Sequence, residues 1–303
     1  MVTLVRAPNP SPMTLSGTNS YLLDCRDSTA LVIDPGPPIE RHARALIDAA
    51  SQRGLWIAHV ALTHGHPDHS SGAAALAAAT GARVYAHPAS GVVHDADLPL
   101  ETDWQLGAIA LRTIDAPGHT FDHAIFYLEP VRALFTGDTI LGEGTTVIAP
   151  PGGAMKPYLN TLARLRDEFA GARTIYGGHG PVVGAAQAKI AEYIAHRAMR
   201  QEQIVAALRG GARTIPDLVR HIYSEQKTAL WPAMARQVLA HLIALQEDGL
   251  VVSRPLPRPL SADESAMLNP NLEEIVGPHE AALLAAELGT QMRLDSLDEY
   301  ELV

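Results

Sequence analysis

The chain has 303 residues, of which 47% are hydrophobic and 18% charged, as is typical of a soluble globular protein with a large and a small domain, or two medium ones. The formal net charge of −10 argues against coating of nucleic acid or of an anionic membrane, because such surfaces need excess Lys and Arg. The single cysteine, Cys25, excludes a disulfide framework or a thiolate zinc cluster within one chain, and we expect it to be a buried structural residue.

The N-terminal segment, MVTLVRAPNPSPMTLSG, has prolines where a signal peptide has its apolar stretch. No run of apolar residues approaches the length that spans a bilayer. The sequence therefore predicts a cytoplasmic protein with no membrane partner.

Short β-type runs alternate with helical patterns from Ser20 to about Gly180. An amphipathic helix is predicted at 39–54, and an alanine-rich helix at 70–81 has Ser70 or Ser71 as its N-cap and Gly81 past its end. This alternation predicts an α/β fold. The predicted strands are SYLLD, ALVID, WIAHVALT, RVYA, IALRTID, HAIFYLE, RALFTG and RTIYGG.

After Pro181 the pattern changes to three helices followed by one short β-type run. The helices are predicted at 185–211, 214–226 and 232–249, and the strand is LVVS, 250–253. This order is typical of a winged-helix module. We therefore predict a first domain at 1–195 and a winged-helix-like domain at 196–253.

The last fifty residues have a different composition, with three Lys and Arg against ten Asp and Glu from Arg254 onward. We interpret 254–303 as an acidic C-terminal extension that is solvated and partly ordered, with one helix near 279–289. The alternative is an arm that packs on a second subunit, giving a homo-oligomer, or that covers a pocket.

The stretch THGHPDHSSG, 63–72, places three histidines and an aspartate within six consecutive positions. His64 and His66 follow a predicted strand, so the two-residue period of an extended chain points both side chains the same way. Pro67 bends the backbone and lets Asp68 and His69 reach a neighbouring point. Two ligand pairs at adjacent points favour two metal ions, because three protein ligands and a water saturate one tetrahedral ion.

A dinuclear site needs more ligands from elsewhere in the chain. Three candidates lie beside glycine at predicted strand ends: His119 in DAPGHTFDH, Asp138 in LFTGDTI and His179 in YGGHGP. Glycine at each place permits the tight backbone geometry that directs a side chain from the edge of a sheet.

With Asp34 in LVIDPG, these motifs resemble the metallo-β-lactamase superfamily. The resemblance implies an αββα sandwich in the first domain, which would be the hydrolase, with the site at one edge of the sheets. It implies that Asp34 orients ligands from outside the metal shell. The implied ligands are His64, His66 and His119 for the first metal, Asp68, His69 and His179 for the second, and Asp138 as the bridge between them.

The resemblance extends further, over residues 10–253, to the β-lactamase-like protein 2 group, which carries a C-terminal winged helix. GDTILGEGTTVI, IYGGHGPVV and VLAHLIALQEDG are among the similar stretches. Members of this group include a single-strand-specific endoribonuclease and thioesterases that act on carrier-bound polyketides.

Two divalent ions that share a water generate a bridging hydroxide as the nucleophile, so no serine or cysteine nucleophile is needed. Zn²⁺ suits His and Asp ligands best, and Fe or Mn accept the same set. Asp68 and Asp138 are the catalytic candidates because either can hydrogen-bond that hydroxide. The resemblance argues against β-lactamase activity, since classical zinc β-lactamases use a Cys and lack the bridging Asp.

We therefore predict hydrolysis of an ester or thioester bond in a small-molecule substrate. The first alternative is a ribonuclease acting on single-stranded RNA, favoured by seven Lys and Arg against three Asp and Glu between His196 and Arg236. The second is a DNA-binding regulator with a non-catalytic metal domain. Three further residues are expected to support the ligands or line the substrate pocket: His123, Thr145 and Thr146.

Overall fold

The structure, a computed structural model, describes residues 1–269, 271, 273, 278, 294 and 296–303. The helix expected near 279–289 lies outside these residues. No helix in the described ranges combines the length and apolar character needed to cross a membrane.

Contacts divide the chain into two compact units, and the domain boundaries at 195 and 253 stay predictions. The first unit contains Met1–Pro117, Phe121–Thr146 and Leu165–Ile190. The second contains Gly118–Thr120, Val147–Arg164 and the described part of Ala191–Val303.

Two β-sheets form the first unit. The six-stranded sheet has its strands in chain order: Val2–Arg6 (β1), Asn19–Asp24 (β2), Thr29–Ile33 (β3), Trp56–Ala61 (β4), Arg83–Ala86 (β5) and Ala96–Asp97 (β6). The second sheet has the order β11-β10-β9-β8-β7, with strands Asp103–Leu106 (β7), Ile109–Asp115 (β8), Ala124–Leu128 (β9), Ala133–Gly137 (β10) and Thr174–Gly177 (β11). Strands β3 to β6 run parallel to one another, as do β10 and β11.

The alternation of side chains along β2 explains how the layers form. Tyr21 and Leu23 pack in a core that also contains Phe126 and Phe135 of the second sheet. Leu22, between them, joins a separate core with Leu46 and other helical residues. Because successive strand side chains point to opposite faces, the first sheet packs against the second sheet on one face and against helices on the other.

The α-helices up to residue 209 are Glu40–Ser51 (α1), the short Pro67–Ser70 (α2), Ala73–Thr80 (α3), Met155–Glu168 (α4) and Ala186–Arg209 (α5), and the last two extend through both units. The helices predicted at 39–54 and 70–81 are confirmed at α1 and α3, whereas α2 and α4 were not predicted. Gly81 ends α3 in the left-handed region with φ 73°, as predicted.

The predicted serine N-cap of α3 is wrong. Gly72 is the N-cap, and no side chain caps the helix. Ser70 instead belongs to α2, where its hydroxyl donates to Gly65 O at 3.0 Å. A Cβ at position 72 would lie 2.8 Å from Gly36 O, so the close approach of this backbone requires glycine there.

The second unit contains most of α5, from Ala191 onward, followed by Ile215–Ile222 (α6), Trp231–Glu247 (α7), Val251–Pro255 (β12), Ala262–Leu268 (α8) and Asp298–Leu302 (β13). Thr214 caps α6 in a reciprocal capping box with Asp217. The three helices and the strand predicted after Pro181 are confirmed at α5, α6, α7 and β12.

The interpretation of 254–303 as a solvated extension is wrong for much of its described part. Strand β13 pairs antiparallel with β12, and Leu268, Leu297 and Tyr300 are buried in the same core as α6 and α7. The acidic composition concealed this packing because the acidic Glu299 and Glu301 flank the buried Tyr300 along the strand. The described segment therefore completes the second unit.

Candidate metal centre

Two pairs of parallel strands, β3 with β4 and β10 with β11, carry most of the candidate residues at their carboxyl ends. Asp34 follows β3, the 63–72 motif follows β4, Asp138 follows β10, and His179 comes just after β11. The carboxyl ends of parallel strands in open α/β sheets commonly form ligand sites. The chain thus brings together side chains that are up to 145 positions apart, from Asp34 to His179.

Asp68, His69 and His179 offer ligand atoms that all lie within 4.8 Å of one another. His69 Nε2 lies 3.3 Å from His179 Nε2 and 3.4 Å from Asp68 Oδ2. His179 Nε2 lies 3.2 Å from the same carboxylate oxygen. The three residues are those that the superfamily resemblance implies for the second metal.

Asp138 contacts this cluster through both of its carboxylate oxygens. Oδ1 lies 3.4 Å from His69 Nε2, and Oδ2 lies 3.5 Å from His179 Nε2. Asp138 also forms a second group with His64 and His69, again within 4.8 Å. Asp138 therefore lies beside His64 on one side and beside His69 and His179 on the other.

His64 and His66 face each other across 3.0 Å, from Nε2 of the first to Nδ1 of the second. His64 is buried, whereas His66 is partly exposed. The two side chains therefore point to the same side of the backbone, as the two-residue spacing predicted.

Asp34 orients His64 and His69 through hydrogen bonds. Its Oδ1 accepts from Thr63 N at 2.7 Å, and its Oδ2 accepts from Thr63 Oγ1 at 2.7 Å and from His69 Nδ1 at 2.8 Å. Since the Thr63 hydroxyl donates to Asp34, it accepts from His64 Nδ1 at 3.0 Å. Both imidazoles thus carry their proton on Nδ1, which leaves each Nε2 lone pair for a metal.

Other contacts orient His179, and they too leave its Nε2 as the ligand atom. Its Nδ1 lies 3.4 Å from Gly17 O, and a carbonyl can only accept, so Nε2 is again the ligand atom. Asn19, which is buried, donates from Nδ2 to Gly177 O at 3.0 Å and to Gly180 O at 2.9 Å. These bonds fix the loop that carries His179.

His119 lies in the short segment Gly118–Thr120 of the second unit. Its Nδ1 donates to Val147 O at 3.0 Å, so its tautomer also leaves Nε2 for a ligand. The segment is fixed by a hydrogen bond from Ala154 N to Gly118 O at 2.9 Å. Its role as a metal ligand remains a proposal.

His123 is fully buried and supports Asp138. Its Nε2 accepts from Asp138 N at 3.2 Å, and its ring stacks on His64 with centroids 4.9 Å apart. It therefore contacts the backbone of one candidate ligand and the ring of another. Thr145 is half-buried and Thr146 buried in the loop between β10 and α4.

Thr18 contacts the candidate ligand Asp68, and the sequence did not predict this contact. Its hydroxyl donates to Asp68 Oδ2 at 3.2 Å while accepting from Asn9 Nδ2 at 3.0 Å. The bond from Asn9 occupies the acceptor side of the hydroxyl and directs its proton toward Asp68. Thr18 thereby fixes the orientation of a candidate ligand.

The loop that carries His179 passes close to two candidate ligands at Gly178. A Cβ on Gly178 would lie 2.3 Å from Asp138 Oδ1 and 2.6 Å from His69 Cε1. Only a residue without a side chain permits the loop to pass beside both ligands. This steric reason differs from the predicted one, which was tight backbone geometry. Gly180, on the other side of His179, has that geometry with a φ of 81°.

The protein's own charges favour ionised carboxylates at the centre. Burial disfavours the charged form of Asp68 and Asp138, but His69 and His179 outweigh it and hold both pKa values well below their usual range. Burial likewise opposes protonation of His179, yet Asp138 and Asp68 raise its pKa to about 10, so a metal ion at Nε2 would replace a proton there. Cys25 is buried away from this cluster, and burial raises its pKa to about 11.

The fold and the residues of this centre define a metallo-hydrolase class. The chain belongs to the metallo-beta-lactamase superfamily, whose family model matches residues 13–179. A second model, the beta-lactamase associated winged helix domain, matches residues 214–255. The superfamily and the winged helix predicted from the sequence are both confirmed, and the chain is a hydrolase of this superfamily.

The chain is similar to several named proteins over most of its length. A beta-lactamase-like protein 2 homolog of Caenorhabditis elegans is 32% identical over 259 residues, covering 82% of this chain and 85% of the relative. An atrochrysone carboxyl ACP thioesterase, AacuM of Aspergillus aculeatus, is 33% identical over 67% of this chain and 64% of its own length. A solved metallo-beta-lactamase family protein of Thermus thermophilus has a TM-score of 0.69 at 25% identity, covering 84% of this chain and 95% of that protein.

Proposed function

We propose that the protein is a dinuclear metal-dependent hydrolase of ester or thioester bonds. The observation that carries this proposal is the preset tautomer of the candidate ligands. His64, His69, His119 and His179 each direct Nδ1 to an oxygen of the protein and leave Nε2 as the ligand atom. Such acceptors on the far side of a histidine are typical of metal sites.

The distances within the cluster fit a metal ion. Bonds of about 2.0–2.1 Å in a tetrahedral arrangement separate neighbouring ligand atoms by roughly 3.3–3.4 Å. The three separations among Asp68, His69 and His179 are 3.2, 3.3 and 3.4 Å. The donor set, imidazole and carboxylate without thiolate, suits Zn²⁺ and also accepts Fe or Mn.

We assign the ligands as the superfamily resemblance implies. His64, His66 and His119 would hold the first ion, Asp68, His69 and His179 the second, and Asp138 would contact both. The group of Asp68, His69 and His179 supports the second set, and the group of Asp138 with His64 and His69 supports a place for Asp138 between the two sets.

The two ions would lower the pKa of a water and stabilise the negative charge that develops on the carbonyl oxygen of the substrate. Asp68 and Asp138 are the carboxylates that accept the proton of the attacking water. The water oxygen bonds to the carbonyl carbon, the carbon–sulfur bond breaks with its electron pair on sulfur, and the proton passes to the departing thiolate. Thr18 holds Asp68 Oδ2 in place during this exchange.

The thioester substrate class is supported by two relatives whose names describe thioesterases, from Aspergillus aculeatus and Claviceps purpurea. They are 32–33% identical to this chain, and the substrates in their names are those of the relatives. For this chain we propose an acyl thioester of a small molecule.

The ribonuclease alternative loses part of its support. It depended on the basic residues between His196 and Arg236, but Arg197 and Arg236 are 1% and 2% exposed. Arg197 stacks on the ring of Tyr158, and Arg200 on that of Tyr223. Buried guanidinium groups do not bind phosphates at a surface.

A substrate panel on the metal-loaded protein tests the proposal. Acyl thioesters, lactones, β-lactams and single-stranded RNA are compared between the wild type, Asp138→Ala and the control Asp167→Ala, an exposed carboxylate on α4. We expect thioester or ester hydrolysis that Asp138→Ala abolishes and Asp167→Ala retains.

Two results would overturn the proposal. The first is equal hydrolysis by Asp138→Ala and the wild type. The second is specific binding of duplex DNA by a wild type that cleaves no substrate, which would favour the regulator. Cleavage of RNA alone would replace the substrate class and keep the metal centre.

A further inference from the structure

A buried glutamine on α7, Gln237, contacts the peptide group that orients His119. The peptide between Val147 and Ile148 is planar, so its carbonyl and its N–H keep a fixed mutual direction. The carbonyl, Val147 O, accepts from His119 Nδ1 at 3.0 Å. The N–H of Ile148 donates to Gln237 Oε1 at 3.1 Å. One peptide therefore lies between the two side chains and bonds to both.

The hydrogen bond between Ile148 and Gln237 is buried. Ile148 is 0% exposed and Gln237 is 7% exposed, so water does not replace the bond between them. A buried backbone N–H needs an acceptor, and Gln237 Oε1 supplies it. The packing of α7 in its core involves Val238 and Leu242, which lie on a different face of the helix.

We propose that Gln237 is a positioning residue for His119. It fixes the Val147–Ile148 peptide, and this peptide fixes the direction and tautomer of the imidazole. The inference rests on the proposed function, in which His119 Nε2 is a metal ligand. It adds a role for the winged-helix region, because Gln237 lies within residues 214–255.

Polarisation strengthens the effect along the chain of bonds. An acceptor on the peptide N–H increases the negative charge on the carbonyl of the same peptide, which then accepts more strongly from His119. A stronger acceptor at Nδ1 makes Nε2 a better ligand. If the acceptor at position 237 is lost, the peptide is free to turn and His119 samples both tautomers.

Two variants separate the hydrogen bond from the shape of the side chain. Gln237→Met has similar length but no acceptor for the Ile148 N–H, whereas Gln237→Glu keeps an acceptor oxygen. Val219→Ala, at a fully buried position of α6, controls for loss of stability in the same unit. Three measurements are made on each full chain: Zn²⁺ affinity by competition with a chromophoric chelator, the visible spectrum of the Co²⁺-loaded protein, and the His119 tautomer by ¹⁵N NMR of the metal-free protein.

We expect Gln237→Met to weaken the Zn²⁺ ion held by His119 by about three- to tenfold, which is below the usual effect of a direct ligand partner. Its Co²⁺ spectrum changes and its His119 signal reports a mixture of tautomers. Gln237→Glu restores the wild-type tautomer, and Val219→Ala retains the affinity and spectrum of the wild type.

The inference is wrong if Gln237→Met keeps the wild-type tautomer, spectrum and affinity, or if Val219→Ala reproduces its losses. A wild type that binds no metal would defeat the proposed function instead. In that case the tautomer comparison still decides whether Gln237 positions His119.

Discussion

Replacement of Asp34 by Asn removes the contact that orients two candidate ligands at once. The wild-type carboxylate accepts three hydrogen bonds, from Thr63 N, Thr63 Oγ1 and His69 Nδ1. An amide at this position offers one oxygen and presents an NH₂ group where the second oxygen was. That NH₂ faces the His69 Nδ1–H, so the ring moves its proton to Nε2 and loses the lone pair that would bind metal.

The magnitude follows from the bonds that are lost. One or two bonds to a charged acceptor, at about 1.5–3 kcal/mol each, predict a loss of about 2–4 kcal/mol in the free energy of unfolding. Loss of an outer partner of a histidine ligand predicts metal affinity lower by about 10–100-fold. Asp34 has a φ of 53°, in the left-handed region, which Asn tolerates about as well as Asp. Backbone strain therefore does not contribute to the difference between the wild type and Asp34→Asn.

Two assays measure these effects. Competition with a chromophoric chelator gives the metal affinity, and urea unfolding of the metal-free protein gives the stability. Asp48→Asn, an exposed position on α1, has the same charge change and should match the wild type in both. Wild-type affinity in a folded Asp34→Asn protein would refute the tautomer mechanism.

Three further predictions concern other positions. Thr18→Val removes the donor to Asp68 and should lower metal affinity about tenfold, while Thr18→Ser should retain it. Gly178→Ala should abolish most metal binding because its Cβ meets Asp138, whereas Gly171→Ala, which has open space, should not. Burial lowers the pKa of His42 to about 4, so the unfolded chain takes up its proton at a higher pH than the folded chain. Stability should therefore fall by about 2 kcal/mol between pH 7 and pH 5, and His42→Gln should remove this share of the urea-unfolding free energy.

The strands that carry the centre could be predicted because they combine strong apolar patterns with a histidine motif. Strands β3, β4, β10 and β11 are all close to the predicted runs, and their parallel direction brings their ends together. The edge strand β1 and the short β6 and β7 went unpredicted. β1 is only half-buried along most of its length and has a weak apolar pattern.

The supporting contacts could not be predicted because they join residues far apart in the chain. Thr18 and Asp68 are separated by 50 positions, and Ile148 and Gln237 by 89. A threonine or a glutamine has no periodic signal that marks its partner, and only the fold brings the two atoms within hydrogen-bond distance. The packing of the acidic C-terminal segment was missed for a related reason, since Leu297 and Tyr300 are too few to dominate its composition.

The metal content of the purified chain tests the central claim most directly. The protein is stripped with a chelator, loaded with excess Zn²⁺, desalted and measured by mass spectrometry against protein concentration. The dinuclear centre predicts close to two ions per chain in the wild type and no more than one in His179→Ala. Retention of one ion or none by the wild type would contradict it.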